Sequence, residues 1–544
     1  MKIFFFILSF SFLILSNNAF SQNYEQDALR FSQAVLGGSS RIQGLGGAQT
    51  SLGGDISNVS GNPAGLGFFR RSEFSFTAGL NYVSTKSTYI DANKSTPDNK
   101  FFANAPNLGV VFSWAKDDIV GGKGRGGAFG ISFNRMSSFQ NKFSFSGVQP
   151  AVPDNSFLDF LAAEANGKDP YSLYKEVQQA ANNKDFETLG RSAAAYNSFL
   201  INPIMDKNNH NTSKYYRFND GNDADNRLVA IKQSGSVTSS GGSGQWNLSY
   251  GGNYNNRFYF GASLGVPRIR YQTTKTYLEE FDLSKNINNI DNYTYAEDKT
   301  VTGTGINIKG GFIYRINNLI RLGISGVSPS YVSMKETYTS NFVSNFPNVS
   351  YSYYSYTVDT IKFISNLNDF QSGIRTSTSP NDYKYTLTQP GKVSGGLSIF
   401  VGKHGFFTGD IDYVPYKSMR ITGDGLNDIN TLIQNTYKNV FNLRVGFEGR
   451  FDIFRARLGF AYLSDPYKNP AIDRSRMIFT AGAGLRHENF YFDITGTYNV
   501  YKSAYSPYGS FPSSTNNGQY ASSPSAFITN TPVSILATVG FRFN

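Results

Sequence analysis

The sequence predicts an all-β fold: a 14-stranded antiparallel transmembrane β-barrel with an N-terminal hatch, or plug, inside the lumen and a helical extracellular loop. Three observations carry this. The chain has 544 residues, of which only 16% are charged while 15% are aromatic and 54 are Gly. A soluble protein of ordinary composition carries about 25% charged residues. Second, apolar and polar residues alternate over runs longer than the usual strand of five or six residues. Third, these runs are joined alternately by very short and very long connections, as in barrels with short periplasmic turns and long outer loops.

The chain opens with Lys2, an apolar run from Ile3 to Leu15, and Ala19-Phe20-Ser21. This is the pattern of a secretory signal peptide over 1–21. The run is too short to span a bilayer as a helix. Loss of Lys2 lowers the formal charge from +11 to +10, a modest excess that favours phosphate-rich outer-leaflet lipid.

Residues 22–72 show no sustained alternation. Asp27–Leu36 reads as one short helix, followed by Gly37-Gly38, Gly44, Gly46-Gly47 and Gly53-Gly54. Such a stretch is compact, irregular and long enough to fold within a barrel, so it is assigned as the hatch.

From residue 73 to 544 period-two patterning takes over. Phe74, Phe76, Ala78, Leu80 and Tyr82 alternate with Ser75, Thr77, Gly79 and Asn81. Phe441, Leu443, Val445 and Phe447 repeat the pattern, as do Phe454 to Tyr462 and Phe490 to Tyr498. The last strand puts Val533, Ile535, Ala537, Val539, Phe541 and Phe543 on one face. One greasy and one polar face per strand follow from the side-chain period. The polar faces mix Gly with charges, as a wet lumen would. Strands are expected at about 73–90, 105–116, 127–147, 243–253, 257–278, 300–316, 319–339, 385–402, 406–422, 437–450, 454–464, 476–486, 489–504 and 528–544. Short turns fall at Tyr254-Asn255-Asn256, Asn317-Asn318, Lys403-His404-Gly405, Phe451-Asp452-Ile453 and His487-Glu488-Asn489. Long loops fall at about 148–242, 279–299, 340–384, 423–436, 465–475 and 505–527. An even strand number suits a closed single-chain bacterial barrel.

The longest insertion, about 148–242, carries three helical patterns. Asn155-Ser156 precedes Phe157, Leu158, Phe160, Leu161 and Ala162. Asp169-Pro170 precedes Leu173, Val177 and Ala181. Asp185 precedes Phe186, Leu189, Ala193, Tyr196 and Leu200. The stripes either pack together over the barrel mouth or leave a surface groove for greasy molecules.

One run carries a resemblance. Gly53-Gly54-Asp55-Ile56-Ser57-Asn58-Val59-Ser60-Gly61-Asn62-Pro63-Ala64-Gly65-Leu66-Gly67-Phe68-Phe69 leads into the strand from Glu73. It resembles the hatch of the FadL family of outer-membrane transporters for hydrophobic compounds. In that family an Asn-Pro-Ala motif stands shortly before the first strand of a 14-stranded barrel. Gln389 to Leu397 through Asp410-Ile411-Asp412-Tyr413 is similar to the family's Pro-led hairpin. The final Val-Gly-Phe-Arg-Phe-Asn resembles an outer-membrane C-terminal signal, although Asn544 follows the aromatic. The central loops lie outside the resemblance. It implies a hatch role for Asn62, Pro63, Ala64, Gly65 and Leu66, and a capture site for hydrophobic ligands in the helical loop, placed by analogy at Phe157, Phe160 and Leu161.

Other chemistry is excluded or weak. With no Cys, disulfides, thiolate metal sites and cysteine catalysis are ruled out. His210, His404 and His487 are too scattered for a metal set. Gly261-Ala262-Ser263-Leu264-Gly265 matches a nucleophile elbow but lies within a strand pattern, without the helix that motif needs. Gly122 to Gly127 has dinucleotide-type Gly spacing but is followed by more strand, so it reads as a periplasmic turn. Tyr351, Tyr353, Tyr354 and Tyr356 read as a strand extension in an outer loop.

Asp410, Asp412, Arg444, Glu448, Arg455, Arg457, Asp493 and Arg542 fall on polar faces. They form either a self-satisfied network that holds the hatch or a carboxylate-binding site, since Arg binds carboxylates bidentately. No enzyme, cofactor, metal or nucleic-acid role is expected. The expected role is passive uptake of hydrophobic molecules, such as long-chain fatty acids or aromatic compounds, by a monomeric barrel in the bacterial outer membrane. Its partners are the ligand and outer-membrane lipid. A barrel serving as a non-transporting scaffold in a secretion or assembly complex, with protein partners on the long loops, stays open as the alternative.

Overall fold

The structure is a computed structural model that describes residues 24–33, 35–115, 124–183, 190–198, 200–207, 211–217, 229–282, 290–345, 353–357, 360–364, 374–377, 381–513 and 519–543. The signal peptide and its cleavage site lie outside these residues, as do Asp185, Phe186, Leu189, His210, Tyr351 and Asn544. The side chains of Val177, Ala181, Tyr353, Tyr354 and Tyr356 are likewise outside.

Fourteen antiparallel strands close into one barrel. They are β1 (Ser72–Tyr89), β2 (Asp91–Ala115), β3 (Gly124–Ser138 and Asn141–Gln149) and β4 (Ile231–Tyr254). Next come β5 (Phe258–Phe281), β6 (Asn292–Arg315), β7 (Ile320–Val327 and Ser330–Asn345) and β8 (Asn381–Gln389 and Lys392–Val401). The series ends with β9 (Gly405–Val414), β10 (Val440–Phe451), β11 (Phe454–Leu463), β12 (Arg476–Arg486), β13 (Phe490–Tyr505) and β14 (Ala526–Phe543). Closure is made by β14 on β1, in register from Ser72 opposite Phe543 to Thr88 opposite Phe527. No backbone edge is left there, which a lipid environment requires.

Each greasy face points outward. Phe74 and Phe76, both 41% exposed, share the outer wall with Val533, Ile535 and Phe541. No described helix is long and apolar enough to cross a membrane; the crossing is made by strands. On one rim the turns are tight. Asn255, Asn256 and Asp452 adopt φ of 55°, 53° and 52°, the left-handed conformation that two-residue hairpins need and that Asn and Asp tolerate.

Several strands run further than alternation indicates. β2 starts at Asp91 rather than 105, β4 at Ile231 rather than 243, and β6 at Asn292 rather than 300. The added residues are mostly Ser, Thr, Asn and charged groups. They lie above the lipid, where water wets both faces and period-two hydrophobicity disappears. The large insertion therefore spans about 150–230 rather than 148–242.

The described residues of 24–69 pack against the inward faces of the strands. Helix α1 (Tyr24–Ser32) buries Tyr24, Ala28, Leu29 and Phe31 against Tyr271, Val332, Met334, Tyr385 and Leu387 of the wall. It also touches a helix of the β9–β10 loop, Asn427–Thr436. A four-residue helix α2 (Ser40–Gln43) and two 3₁₀ turns, Ile56–Val59 and Pro63–Phe68, complete the segment. Its polar backbone is satisfied from the wall: Thr538 Oγ1 accepts from the Ser40 N–H at 2.8 Å, and Thr495 Oγ1 donates to the Ser40 carbonyl at 2.7 Å.

The far mouth is covered by α3 (Phe157–Ala165), α4 (Pro170–Asn183) and α5 (Arg191–Asn197). Their apolar faces close over an aromatic layer from the barrel rim that includes Tyr277, Tyr293, Tyr295 and Phe342. Tyr353–Thr357 and Thr360–Ile364 form a separate two-stranded ribbon.

Candidate functional site

The plug is fixed to the wall at the Asn62–Leu66 turn. Asn62 caps it: its Oδ1 accepts from the Ala64 N–H at 3.1 Å, and its Nδ2 donates to the Thr50 carbonyl at 2.7 Å. The same amide reaches the wall carbonyls of Phe312 and Ile324, each at 3.4 Å. Pro63 takes the first helical position, where its missing N–H costs nothing. Ala64 packs with Tyr259 and Ile313, and Leu66 with Ile56, Val59, Val111 and Ala128. Beside Gly65 there is no room for a Cβ because of the Asn58 side chain. One turn earlier, Asp55 and Asn58 form a capping box.

This close seating depends on wall glycines. Gly251, Gly261 and Gly311 are direct cross-strand neighbours on β4, β5 and β6. A Cβ on Gly251 or Gly261 would come within 2.5 Å of the Pro63 carbonyl oxygen, and one on Gly311 would overlap the Asn62 amide. On the opposite wall Gly446 and Gly459 are paired and touch Leu45 and Gly46, while Gly323 and Gly396 are paired and touch Thr50 and Ser51. Glycine is used here for close backbone approach.

Charges hold the plug from one side. Arg457 is wholly buried; its Nε donates to Glu448 Oε2 at 2.9 Å and its Nη1 to Asp493 Oδ1 at 2.7 Å. Glu448 also receives Arg41 of the plug at 3.0 Å and Arg450 at 3.1 Å, and Arg41 reaches Asp55 at 3.5 Å. Asp410 stands apart: its Oδ2 accepts the backbone N–H groups of Gln49 and Thr50 at 2.7 and 2.9 Å and the Thr50 hydroxyl at 2.9 Å. Asp412 pairs with Arg444 at 2.8 Å and with Lys392 at 3.7 Å.

The eight charges expected on polar faces thus separate into groups. Glu448, Arg457 and Asp493 form one cluster, and Asp410, Asp412 and Arg444 line a cavity nearby. Two do not join them. Arg455 sits at the β10–β11 turn, where its Nη1 donates to the carbonyls of Asp452 and Phe454 at 2.5 and 2.7 Å. Its position beside the hairpin end puts turn carbonyls, rather than lumen carboxylates, within reach. Arg542 pairs with Glu73 at 3.2 Å, near the β14–β1 seam.

Phe157 and Leu161 are placed differently from a capture surface. They are 1% and 0% exposed within the closed cluster over the mouth, and Phe160 packs partly buried against it. Among the described residues of the three helices, Phe157, Leu158, Leu161, Leu173, Ala193 and Tyr196 are buried in this cluster with the aromatic wall beneath them. Glu279 explains the seating of α3: buried, it accepts from Ser156 Oγ at 2.5 Å, the Phe157 N–H at 3.0 Å, Gln233 Nε2 at 2.9 Å and the hydroxyls of Tyr277 and Tyr293 at 2.7 and 2.8 Å. The carboxylate lies at the helix N-terminus, where negative charge is favoured.

Among the described residues below this cap, two lumen cavities adjoin the plug at Val35 and Leu36. The first, of ≈170 Å³, is lined by Lys309, Lys392, Arg444 and Arg135 against Asp410 and Asp412, with Phe31, Val327 and Val414 among its apolar walls. Lys309 Nζ donates to the Ser60 carbonyl at 2.7 Å and Asn247 Oδ1 at 3.2 Å, neither of them charged. The second, of ≈140 Å³, has a mixed lining, with Val83, Phe102, Ile478 and Leu536 beside Asn81, Asn499, Arg135 and Arg476. Val35, Leu36, Arg135 and Met136 belong to both. Val35 and Leu36 of the plug thus stand between the two, and the Val35 N–H donates to the Met136 carbonyl at 3.0 Å.

Beside the second cavity the wall is not fully bonded. β2 pairs with β3 only between Asn107 and Ala115, opposite Asn134 to Gly126. Above Asn107, β2 keeps β1 as its partner, while the upper half of β3 pairs with β4 and sits against inward-facing Thr85 and Ser87 of β1. The break between the halves of β3 falls at Phe139-Gln140. At the Gly-rich entry to β3, Gly127–Gly130 pair with both β2 and β4, with a register shift between Gly124 and Gly127. Val35, Lys309 and Arg135 are not singled out by sequence; an inward Gly pattern facing a Gly-rich N-terminal segment is their only signal.

The other motifs are structural. Gly261–Gly265 lies within β5, and the described part of the Gly122–Gly127 run lies in β3. No group of three or more potential metal ligands occurs among the described residues.

No protein-family model matches this sequence, and neither does any curated protein. Solved structures do. The chain is similar to a FadL homologue of Pseudomonas aeruginosa at 12% identity and a TM-score of 0.51, covering 94% of this chain and 100% of that one. It is similar to the toluene transporter TodX of Pseudomonas putida at 10% identity and a TM-score of 0.50, covering 94% and 99%. These likenesses show the fold: a FadL-like 14-stranded barrel of the outer-membrane type.

Proposed function

We propose that the protein is an outer-membrane channel for passive uptake of hydrophobic molecules, and that its preferred substrates carry a carboxylate on an apolar body, as long-chain fatty acids do. The carrying observation is the plug segment at Val35 and Leu36, which borders both a cavity with an excess of basic side chains and a second, mixed one that reaches the unbonded part of the β2–β3 wall. The toluene transporter with the same fold supports the wider class. The excess of four basic over two acidic side chains in the first cavity favours an anionic head.

In this reading a ligand enters past the outer loops and sheds water against the apolar lining. Its head group meets Lys309 and Arg444. A shift of Gln33–Gly38, breaking the Val35–Met136 bond, joins the two cavities. The ligand then leaves sideways above Asn107, where few wall hydrogen bonds need breaking. Asn62–Leu66 acts as the anchor of the hatch, and the segment after α1 as its moving part.

The test uses the absence of native Cys. Val35→Cys with Met136→Cys, bridged by a short reversible bis-thiosulfonate reagent, is expected to block uptake of oleate in whole cells, with recovery after reduction. Uptake undiminished by the crosslink removes the gate from the pathway. Comparing oleate with toluene in the Lys309→Gln variant separates the substrate classes: only oleate uptake is expected to fall.

A further inference from the structure

We propose that the outer wall of β5 to β8 carries a binding site for the phosphate-bearing headgroup of a lipid in the outer leaflet. The site lies on the outside of the barrel, away from the lumen cavities, and does not depend on what passes through them.

On β5 the outward residues run Phe258, Phe260, Ala262, Leu264 and Val266, then switch abruptly to Arg268 and Arg270. Nine residues of tilted strand rise about 23 Å, close to the height of the apolar band of such barrels. The switch therefore falls where acyl chains give way to headgroups. Trp246, Ile306 and Tyr331 are 46%, 51% and 60% exposed at the top of the band on the adjoining strands, as interfacial aromatic and aliphatic residues are expected to be.

The charges above the band share one row. Arg270 is opposite Thr302 on β6, Thr302 is opposite Lys335 on β7, and Lys335 is opposite Lys384 on β8. All four side chains are exposed. Three strand spacings place Arg270 and Lys384 about 14 Å apart, a span that a two-sugar headgroup with a phosphate at either end can bridge. Between them the surface is low: Gly242, Gly244, Thr302, Thr304 and Ser333 line an open groove together with Arg268, Arg270, Lys335 and Lys384. Lys335 is paired with Asp382 at 2.7 Å. Among the described residues no ion pair joins Arg268, Arg270 or Lys384 to a carboxylate. Like charges in cross-strand positions repel, so an anion seated among them is stabilised, and guanidinium groups bind phosphate bidentately.

The test places the full chain in phosphatidylcholine nanodiscs containing a small fraction of an acylated glucosamine disaccharide, either diphosphorylated or dephosphorylated. Native mass spectrometry then counts retained lipid. The wild-type protein is expected to retain the diphosphorylated form selectively. The variant Arg268→Gln, Arg270→Gln and Lys384→Gln is expected to lose that retention by about tenfold, which corresponds to about 1.4 kcal/mol. A control, Lys94→Gln, Lys403→Gln and Lys438→Gln, removes the same charge from exposed positions elsewhere and is expected to bind as wild type. Heat-modifiable gel mobility checks that both variants are folded barrels. Equal retention by wild type and the groove variant, equal retention of both glycolipids, or an equal loss in the control overturns the proposal.

Discussion

Arg457 supports the wall carboxylate that holds Arg41 of the plug. It is buried against two carboxylates, and one of these, Glu448, also holds Arg41 of the plug. Removing one partner of a buried ion pair typically costs about 3–5 kcal/mol, because the other charge stays buried and unpaired. Arg457→Ala is therefore expected to loosen the plug while the strand ladders stay closed. In planar bilayers this reads as frequent open events, with unchanged heat-modifiable mobility; a trace as quiet as wild type means the cluster does not hold the plug. The glycines make a paired test on one wall. Gly261 has no room for a methyl group beside Pro63, whereas nothing lies within 4 Å of a Cβ on Gly310. Gly261→Ala is expected to produce the same leak, and Gly310→Ala to stay within about 0.5 kcal/mol of wild type in denaturant titration. Leak in both, or in neither, rejects close seating as the reason for glycine at 261.

At the scale of elements, α3 shows how a loop becomes a fixed cover. Its amphipathic stripe is satisfied by the cluster over the mouth, and its N-terminus by Glu279. Glu279→Gln keeps the shape but turns an acceptor oxygen into a donating amide NH2 among donors. The loss is expected to be about 1–3 kcal/mol for a buried polar mismatch, read as faster amide exchange across Phe157–Ala165 with β5 still protected; unchanged exchange shows that apolar packing alone seats the helix. The strands were legible in the sequence because a lipid-facing wall and a wet lumen impose period two on Phe74–Tyr82, Phe441–Phe447 and Val533–Phe543. The extensions of β2, β4 and β6 were not, because water on both faces removes the pattern. The burial of Phe157 and Leu161 was half legible: the stripe was visible, but only the fold brings Tyr277, Tyr295 and Phe342 beneath it. The separation of Arg455 from Glu448 was hidden, since both occupy polar-face positions and their distance depends on where the turn falls. The lateral discontinuity was hidden too, because strand pairing between β2 and β3 leaves no trace in either strand alone.

At the scale of the molecule, the barrel and the plug are stabilised by different means. The ring of ladders closes through β14 and β1 without any plug residue. The plug, in contrast, is held by side-chain contacts such as Arg41–Glu448, Gln49 and Thr50 on Asp410, and Asn62 on the wall carbonyls. Backbone ladders satisfy the groups that lipid cannot, so the barrel's integrity is expected to survive loss of the lumen segment. Deleting residues 24–69 while keeping residues 1–23 should therefore give a protein that assembles in the membrane and migrates as a heat-modifiable barrel. Its lumen walls carry paired glycines where the plug lay, so the emptied channel should be wide enough to conduct ions steadily. The deletion also removes Glu25, Asp27 and Asp55 with Arg30 and Arg41, and leaves a lining in which Lys309, Lys392, Arg444 and Arg135 outnumber Asp410 and Asp412, which should make the pore anion-selective under a salt gradient. A deletion variant that never folds shows instead that the plug is part of the barrel's core; one that folds but conducts nothing shows that the outer helices, not the plug, close the channel.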